Sequence, residues 1–291
     1  MRSLREMHPT VLLFWFLSVI VLSVFTIDPV LQALSVFGAL SLSASFGTLK
    51  SSSIKLYCIM FLLTSFSNPV FTHEGATPIL FINGTPITLE ATVYGVLLAA
   101  MLVGVMAWCS AFGELLTSEK ILYLFGKIMP KTALVMSAVI RFIPMLLRRY
   151  RLVSAVQAVS GSNNDQKYMS RVKTALSSFN AVLMWSLEAS VDTVNSMKAR
   201  GYGVRERTSY HRFCLLKSDI SALVLCLLLT AAVVTGIACG YIGFSCYPTL
   251  TEITITAKGA LCYLAFALLA IAPTAIELKE RLRWKYYRSK I

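Results

Sequence analysis

From Ala91 to Phe112 the chain carries no charged residue, and the same holds from Thr10 to Ile27 and from Ile220 to Ile242. A helix rises about 1.5 Å per residue, so runs of this length match a hydrocarbon layer of about 30 Å. Inside lipid the backbone has no water to bond, and such runs fold as helices. Composition agrees: 56% of the 291 residues are hydrophobic and 14% are charged, against about 25% charged in soluble domains. The expected fold class is an all-α polytopic membrane protein of about six membrane segments.

In chain order, Thr10 to Ile27 is read as a retained span, since its apolar core exceeds that of a signal peptide and lacks a small-x-small cleavage site. Asp28-Pro29 forms a tight turn before a second segment, Val30 to Phe46. After the polar stretch Gly47 to Lys55, Leu56 to Phe71 is the third segment. Residues 72–88 contain prolines and an Asn83-Gly84 dipeptide between short apolar runs, which predicts a small external hairpin. Leu89 to Phe112 is the fourth segment, Ile220 to Ile242 the fifth and Ala257 to Ile276 the sixth, followed by a basic amphipathic tail. These divide the chain into residues 1–112, 113–217, 218–276 and 277–291.

Between residues 113 and 217 charges recur every few residues, and no stretch is expected to cross the bilayer unaided. Lys131 to Ser160 is predicted to be one helix, kinked at Pro144, with Arg141, Arg148 and Arg151 on one face. Gly161 to Asp165 is a stop, a turn and a capping residue. A second helix runs from about Gln166 to Arg200. Its Leu176, Phe179, Leu183, Leu187, Val191 and Val194 step by three and four, while Glu188, Asp192 and Asn195 line another face. Two long amphipathic cytoplasmic helices are therefore expected. The second closes at Met197-Lys-Ala-Arg-Gly-Tyr202, where Gly201 suits the left-handed conformation and Lys198 and Arg200 oppose the negative end of the helix dipole.

Charge orients the chain. With the N-terminus inside, residues 28–29, 72–88 and 243–257 lie outside and hold no Lys or Arg. Only Lys258 stands near that side, so both termini are expected in the cytoplasm. The same asymmetry accounts for the net charge of +13 without a nucleic-acid partner. The chain has no phosphate-binding loop, since Gly126-Lys127 is followed by Ile128, and no zinc-protease or nucleophile-elbow motif. The cysteines lack a C-x-x-C spacing, and only Cys239 and Cys246 lie near each other. No internal repeat is evident, and the spans lack the ionisable groups that carry ions or protons. No catalytic, metal-binding or cofactor-binding residue is expected.

The chain resembles the transmembrane coupling subunits of energy-coupling factor importers, the EcfT/CbiQ family of ABC-type transporters. The resemblance rests on Met7-His-Pro9, Asn68-Pro-Val-Phe71 with His73-Glu-Gly75, Pro86-Ile-Thr-Leu-Glu90, Arg141-Phe-Ile-Pro144 and, most specifically, Met197 to Tyr202. It implies two crossing coupling helices, each ending in an Ala-Arg-Gly-like motif whose arginine enters a groove on one of two ATPase subunits. Those partners bind ATP and Mg. A small membrane subunit binds a vitamin or transition-metal ion, in the cell membrane of a prokaryote.

The implied docking residues are Lys198, Ala199, Arg200 and Gly201, with Gln157, Ser160 and Gly161 at the first motif; the apolar face from Leu176 to Val194 would meet the membrane partner. Ser160 stands where the resemblance expects arginine, and a serine lacks the charged five-donor fork. On residues alone, two other classes stay open: an autonomous carrier or channel, and a membrane scaffold or sensor.

Overall fold

The computed structural model describes residues 4–72, 75–82, 85–159, 168–204, 213–247, 251 and 256–288. The chain forms two compact units, residues 1–117 with 213–291, and residues 118–212.

The first unit holds α1 (Pro9–Phe25), α2 (Pro29–Phe46), α3 (Ser51–Phe71), β1 (Pro78–Ile82), β2 (Thr85–Thr88), α4 (Leu89–Leu115), α8 (Lys217–Ala238) and α9 (Ala257–Arg288). Asp28 starts α2 by accepting hydrogen bonds from the backbone N–H groups of Val30 (2.9 Å) and Leu31 (3.4 Å), with Pro29 at the first helical position. The other oxygen of Asp28 accepts from the Tyr263 hydroxyl at 2.8 Å, which ties the α1–α2 turn to α9. β1 and β2 pair antiparallel, with Ile82 opposite Thr85. That is the expected hairpin, although Asn83 and Gly84 themselves lie outside the described residues.

Helices α2, α3 and α1 pack on α4, and α9 packs on α2 and α8. Trp108 of α4 is fully buried, meets Phe16 edge to face at 5.6 Å, and donates from Nε1 to Ser35 Oγ at 3.2 Å. Gln32 Nε2 donates to the carbonyls of Ser23 (2.6 Å) and Thr26 (2.8 Å). Trp15 Nε1 donates to the carbonyl of Leu269 at 3.0 Å. In an unbroken helix that carbonyl would accept from the residue four positions on, which is Pro273 and has no N–H. Trp15 supplies the donor that Pro273 lacks.

The second unit holds α5 (Ser118–Ile128), α6 (Pro130–Val159) and α7 (Tyr168–Ala199), with α5 on α6 and α6 on α7.

Several expectations change. The sequence reading foresaw no membrane-length segment between residues 113 and 217, yet α6 is long and apolar enough to cross a membrane by length and composition. Only Lys131 and Arg141 carry charge between Pro130 and Leu147, and Pro144 lies inside the helix as expected. Among the described residues α2, α3, α4, α8 and α9 qualify in the same way, while α1 is a shorter apolar helix of 17 residues. The fifth segment stops at Ala238 because Gly240, at φ 73°, turns the chain there. α5 was not foreseen. The tail is not separate, since α9 runs unbroken from Ala257 to Arg288.

Replacing Trp15 by Phe should leave the Leu269 carbonyl buried without a donor, at a cost of about 1–3 kcal/mol. Thermal unfolding of the purified protein in detergent should show a lowered Tm. Leu17→Ala, at an exposed position, should stay within about 0.5 kcal/mol of the parent. Equal behaviour of the two variants would contradict the assignment.

A cationic helix end beside an open apolar stripe

The last turn of α7 is closed by a pair of crossed backbone bonds. The Tyr202 N–H donates to the Met197 carbonyl at 3.0 Å and the Gly201 N–H to the Lys198 carbonyl at 2.9 Å. This six-to-one and five-to-two pattern is a Schellman cap, with Arg200 as the C-cap residue and Gly201 following at φ 82°. A side chain at 201 would have open space around it but a strained backbone, so conformation rather than packing calls for glycine there. Gly203 repeats the left-handed geometry at φ 91°.

Lys198, Ala199, Arg200 and Gly201 are all exposed. Among the described residues no carboxylate pairs with Arg200. Its guanidinium stands exposed at a defined helix end, beside carbonyls whose dipole it complements.

α7 has two dissimilar sides. Toward α6 it turns Ser178 and Val182, both buried, and Trp185, over whose ring the Arg149 guanidinium sits at 5.2 Å. Ser178 donates to Gln157 Oε1 at 2.5 Å, and Gln157 Nε2 donates to Ser177 at 3.4 Å. With Gln157 near Ser178 and Arg149 near Trp185, the two helices run antiparallel there. The other side of α7 carries Leu176, Phe179, Leu183, Leu187, Val191 and Val194, every one exposed, from 43% at Leu183 to 64% at Leu187. The α6-facing side thus carries Ser178, Val182 and Trp185, and the long apolar stripe faces away from α6.

The structure places the expected residues unevenly. Arg200 and its neighbours stand together at the end of α7, and the six apolar residues form one open stripe. Gln157 is engaged with α7 through its amide, so its visible role is to hold the helix pair. Ser160 and Gly161 lie outside the described residues, as do Asp165, His73, Glu74, Arg205, Arg207 and Arg212. Arg141, Arg148 and Arg151 are exposed on α6.

A second cluster joins motifs that looked unrelated in sequence. Both oxygens of buried Glu90 accept from the Thr77 hydroxyl at 2.9 Å, and one also accepts from the Thr77 N–H at 3.3 Å. Gly75, at φ 140°, closes over it, and a Cβ there would stand 2.6 Å from Glu90 Oε2. Asn68 Nδ2 donates to the Ala91 carbonyl at 2.9 Å. Asn68, Gly75 and Glu90 thus clamp the loop before the hairpin onto the start of α4. The signal was present in the motifs, but the pairing of Thr77 with Glu90 was not foreseen. Among the described residues no three His, Cys, Asp or Glu stand close enough to hold a metal ion. Cys239 and Cys246 are both free thiols.

Fold and site define a polytopic helical membrane protein with a separate helical unit that presents a cation at one helix end. The family model described as CbiQ, cobalt transport protein, matches residues 1–210, and the chain belongs to that family. α7 and its cap lie within the matched residues, whereas α8 and α9 lie beyond them. Among curated proteins no match was found.

Gly201→Ala should strain the cap by about 1–2 kcal/mol. Hydrogen exchange at the Gly201 and Tyr202 amides should then accelerate roughly tenfold while the middle of α7 is unchanged. Unaltered exchange at Tyr202 would show that the cap does not depend on the left-handed glycine.

Proposed function

We propose that the chain is the transmembrane energy-coupling subunit of an importer of the energy-coupling factor type. Two separate ATPase subunits, which bind ATP and Mg, supply the motion, and one of them receives Arg200. A small membrane subunit that binds a vitamin or transition-metal ion packs along the stripe from Leu176 to Val194. This chain supplies no catalytic group. It resides in a prokaryotic cell membrane with both termini in the cytoplasm.

The observation that carries this reading is the joining of two unlike surfaces on one rigid helix. The stripe from Leu176 to Val194 extends for about 27 Å, and Arg200 follows it within two turns on a locked cap. Displacement of that end moves the stripe with it. A buried arginine contact also suits the junction with a motor, since truncating one costs about 2–5 kcal/mol. The dipole role of Arg200 explains its place at the helix end and is compatible with docking. Ser160 makes the two ATPase contacts unequal, with Arg151 the nearest exposed cation on α6 available to the weaker one.

Arg200→Glu should abolish co-purification of the ATPase subunits while the variant still inserts in the membrane at parental levels. Ser160→Arg should leave assembly unchanged or strengthen it. Intact complexes with Glu at 200 would remove the docking role, and weaker assembly with Arg at 160 would show that the first motif is misaligned.

A further inference from the structure

The exposed face of α9 is one continuous stripe, passing from Leu261 through Leu264, Leu268, Ile271 and Leu278 to Leu282 in steps of three, four or seven. The opposite face, with Phe266, Leu269 and Ala270, is buried in the first unit. From Leu261 to Leu282 there are 282 − 261 = 21 residue steps, about 31 Å of helix, which matches a hydrocarbon layer of about 30 Å. The exposed leucines therefore continue past Ile276 to Leu282, where the exposed cations Lys279 and Arg281 stand among them.

Both ends of the stripe carry the residues of a membrane boundary. At one end Lys258 places its ammonium 5.3 Å from the Tyr241 ring centroid and 3.4 Å from the Tyr241 hydroxyl. At the other end Trp284, Tyr286 and Tyr287 are exposed, as aromatic side chains are at the headgroup level. Arg281, Lys285 and Arg288, spaced by four and three, share one face there and are exposed. Arg281 forms an ion pair with Glu277 at 3.7 Å through Nε, yet Glu277 is turned inward and 10% exposed against 51% for Arg281, which leaves the outer part of the guanidinium on the surface. The outward surface is thus cationic, with its acidic residues facing the protein.

We propose that the last turns of α9 bind the headgroups of anionic phospholipids, with the lipid phosphate on Arg281, Lys285 and Arg288 and the acyl chains along the Leu278–Leu282 end of the stripe. The site lies outside the residues matched to the family, and it does not depend on the coupling role of α7. It sets the depth of α9 in the membrane and gives the protein a preference for an anionic leaflet.

The test uses the full-length protein purified in detergent, with phosphatidylglycerol or phosphatidylcholine added and retained lipid counted by native mass spectrometry. The parent should retain phosphatidylglycerol in preference, and that preference should fall as salt rises. The triple variant R281Q/K285Q/R288Q should lose affinity roughly fivefold for each cation removed. Equal retention of the two lipids by the parent would overturn the proposal, whether or not the variant folds. Full preference in a folded triple variant would also overturn it. So would displacement by inorganic phosphate at equal concentration, a dimer formed through the stripe, or an acidic protein retained in place of lipid.

Discussion

A helix carbonyl left without a donor inside a membrane has no water to turn to, and this chain creates two such carbonyls in its membrane unit. Pro69 in α3 frees the carbonyl of Ser65, and Pro273 in α9 frees that of Leu269. The packing of the unit is tight around both, and at Leu269 another helix supplies the missing donor. Trp15 of α1 reaches Leu269, fixing α1 against α9. On α4, Gly95 lets backbone approach backbone at Ser65, where a Cβ would stand 2.9 Å from the carbonyl oxygen. Gly38 against Ala270 brings α2 equally close to α9. Lipid tails are as apolar as leucine, so close approach and buried hydrogen bonds, rather than hydrophobic burial, hold such helices together.

The second unit follows the opposite logic. Its helices α6 and α7 touch through Gln157, Ser178, Arg149 and Trp185, and the apolar stripe of α7 is exposed among the described residues. A stripe of that length is not satisfied by water and has to be covered by lipid or protein. Membership of the CbiQ family makes this chain a membrane component of a transport system. Within such a component, a unit that keeps its own contacts few and its outer surface open is suited to passing on a movement received at one end. Under the proposed coupling role the helix cap has a use there, because a frayed terminus would absorb displacement that a locked one transmits.

Much of this was legible in the sequence because it depends on local pattern. The long uncharged runs gave the helices, Asp28-Pro29 gave the start of α2, Asn83-Gly84 predicted the hairpin, and Gly201 predicted the end of α7. What escaped was set by distant partners. Trp15 and Leu269 are 254 residues apart, and nothing near either announces the other. Glu90 and Gly75 read as pieces of two separate motifs until Thr77 joined them. Gln157 read as part of a docking motif, and its hydrogen bonds to Ser177 and Ser178 on α7 were not foreseen. That the last segment and the tail form one helix also escaped, because charges after Ile276 lower the local hydropathy while α9 runs on to Arg288. For α6 the charges spread over residues 113–217 hid how few of them fall between Pro130 and Leu147, so its length and apolar composition were missed.

The central claim is that the capped end of α7 is where the ATPase partner meets this chain. It is tested most directly by placing a photo-crosslinking amino acid at Tyr202, two residues beyond Arg200 and exposed, and irradiating native membranes. Mass spectrometry of the adducts should identify a nucleotide-binding ATPase subunit, crosslinked at its surface groove. The same group at Phe71, exposed at the end of α3, should give none. Adducts at Tyr202 with lipid alone, or the same protein captured equally from both positions, would contradict the account.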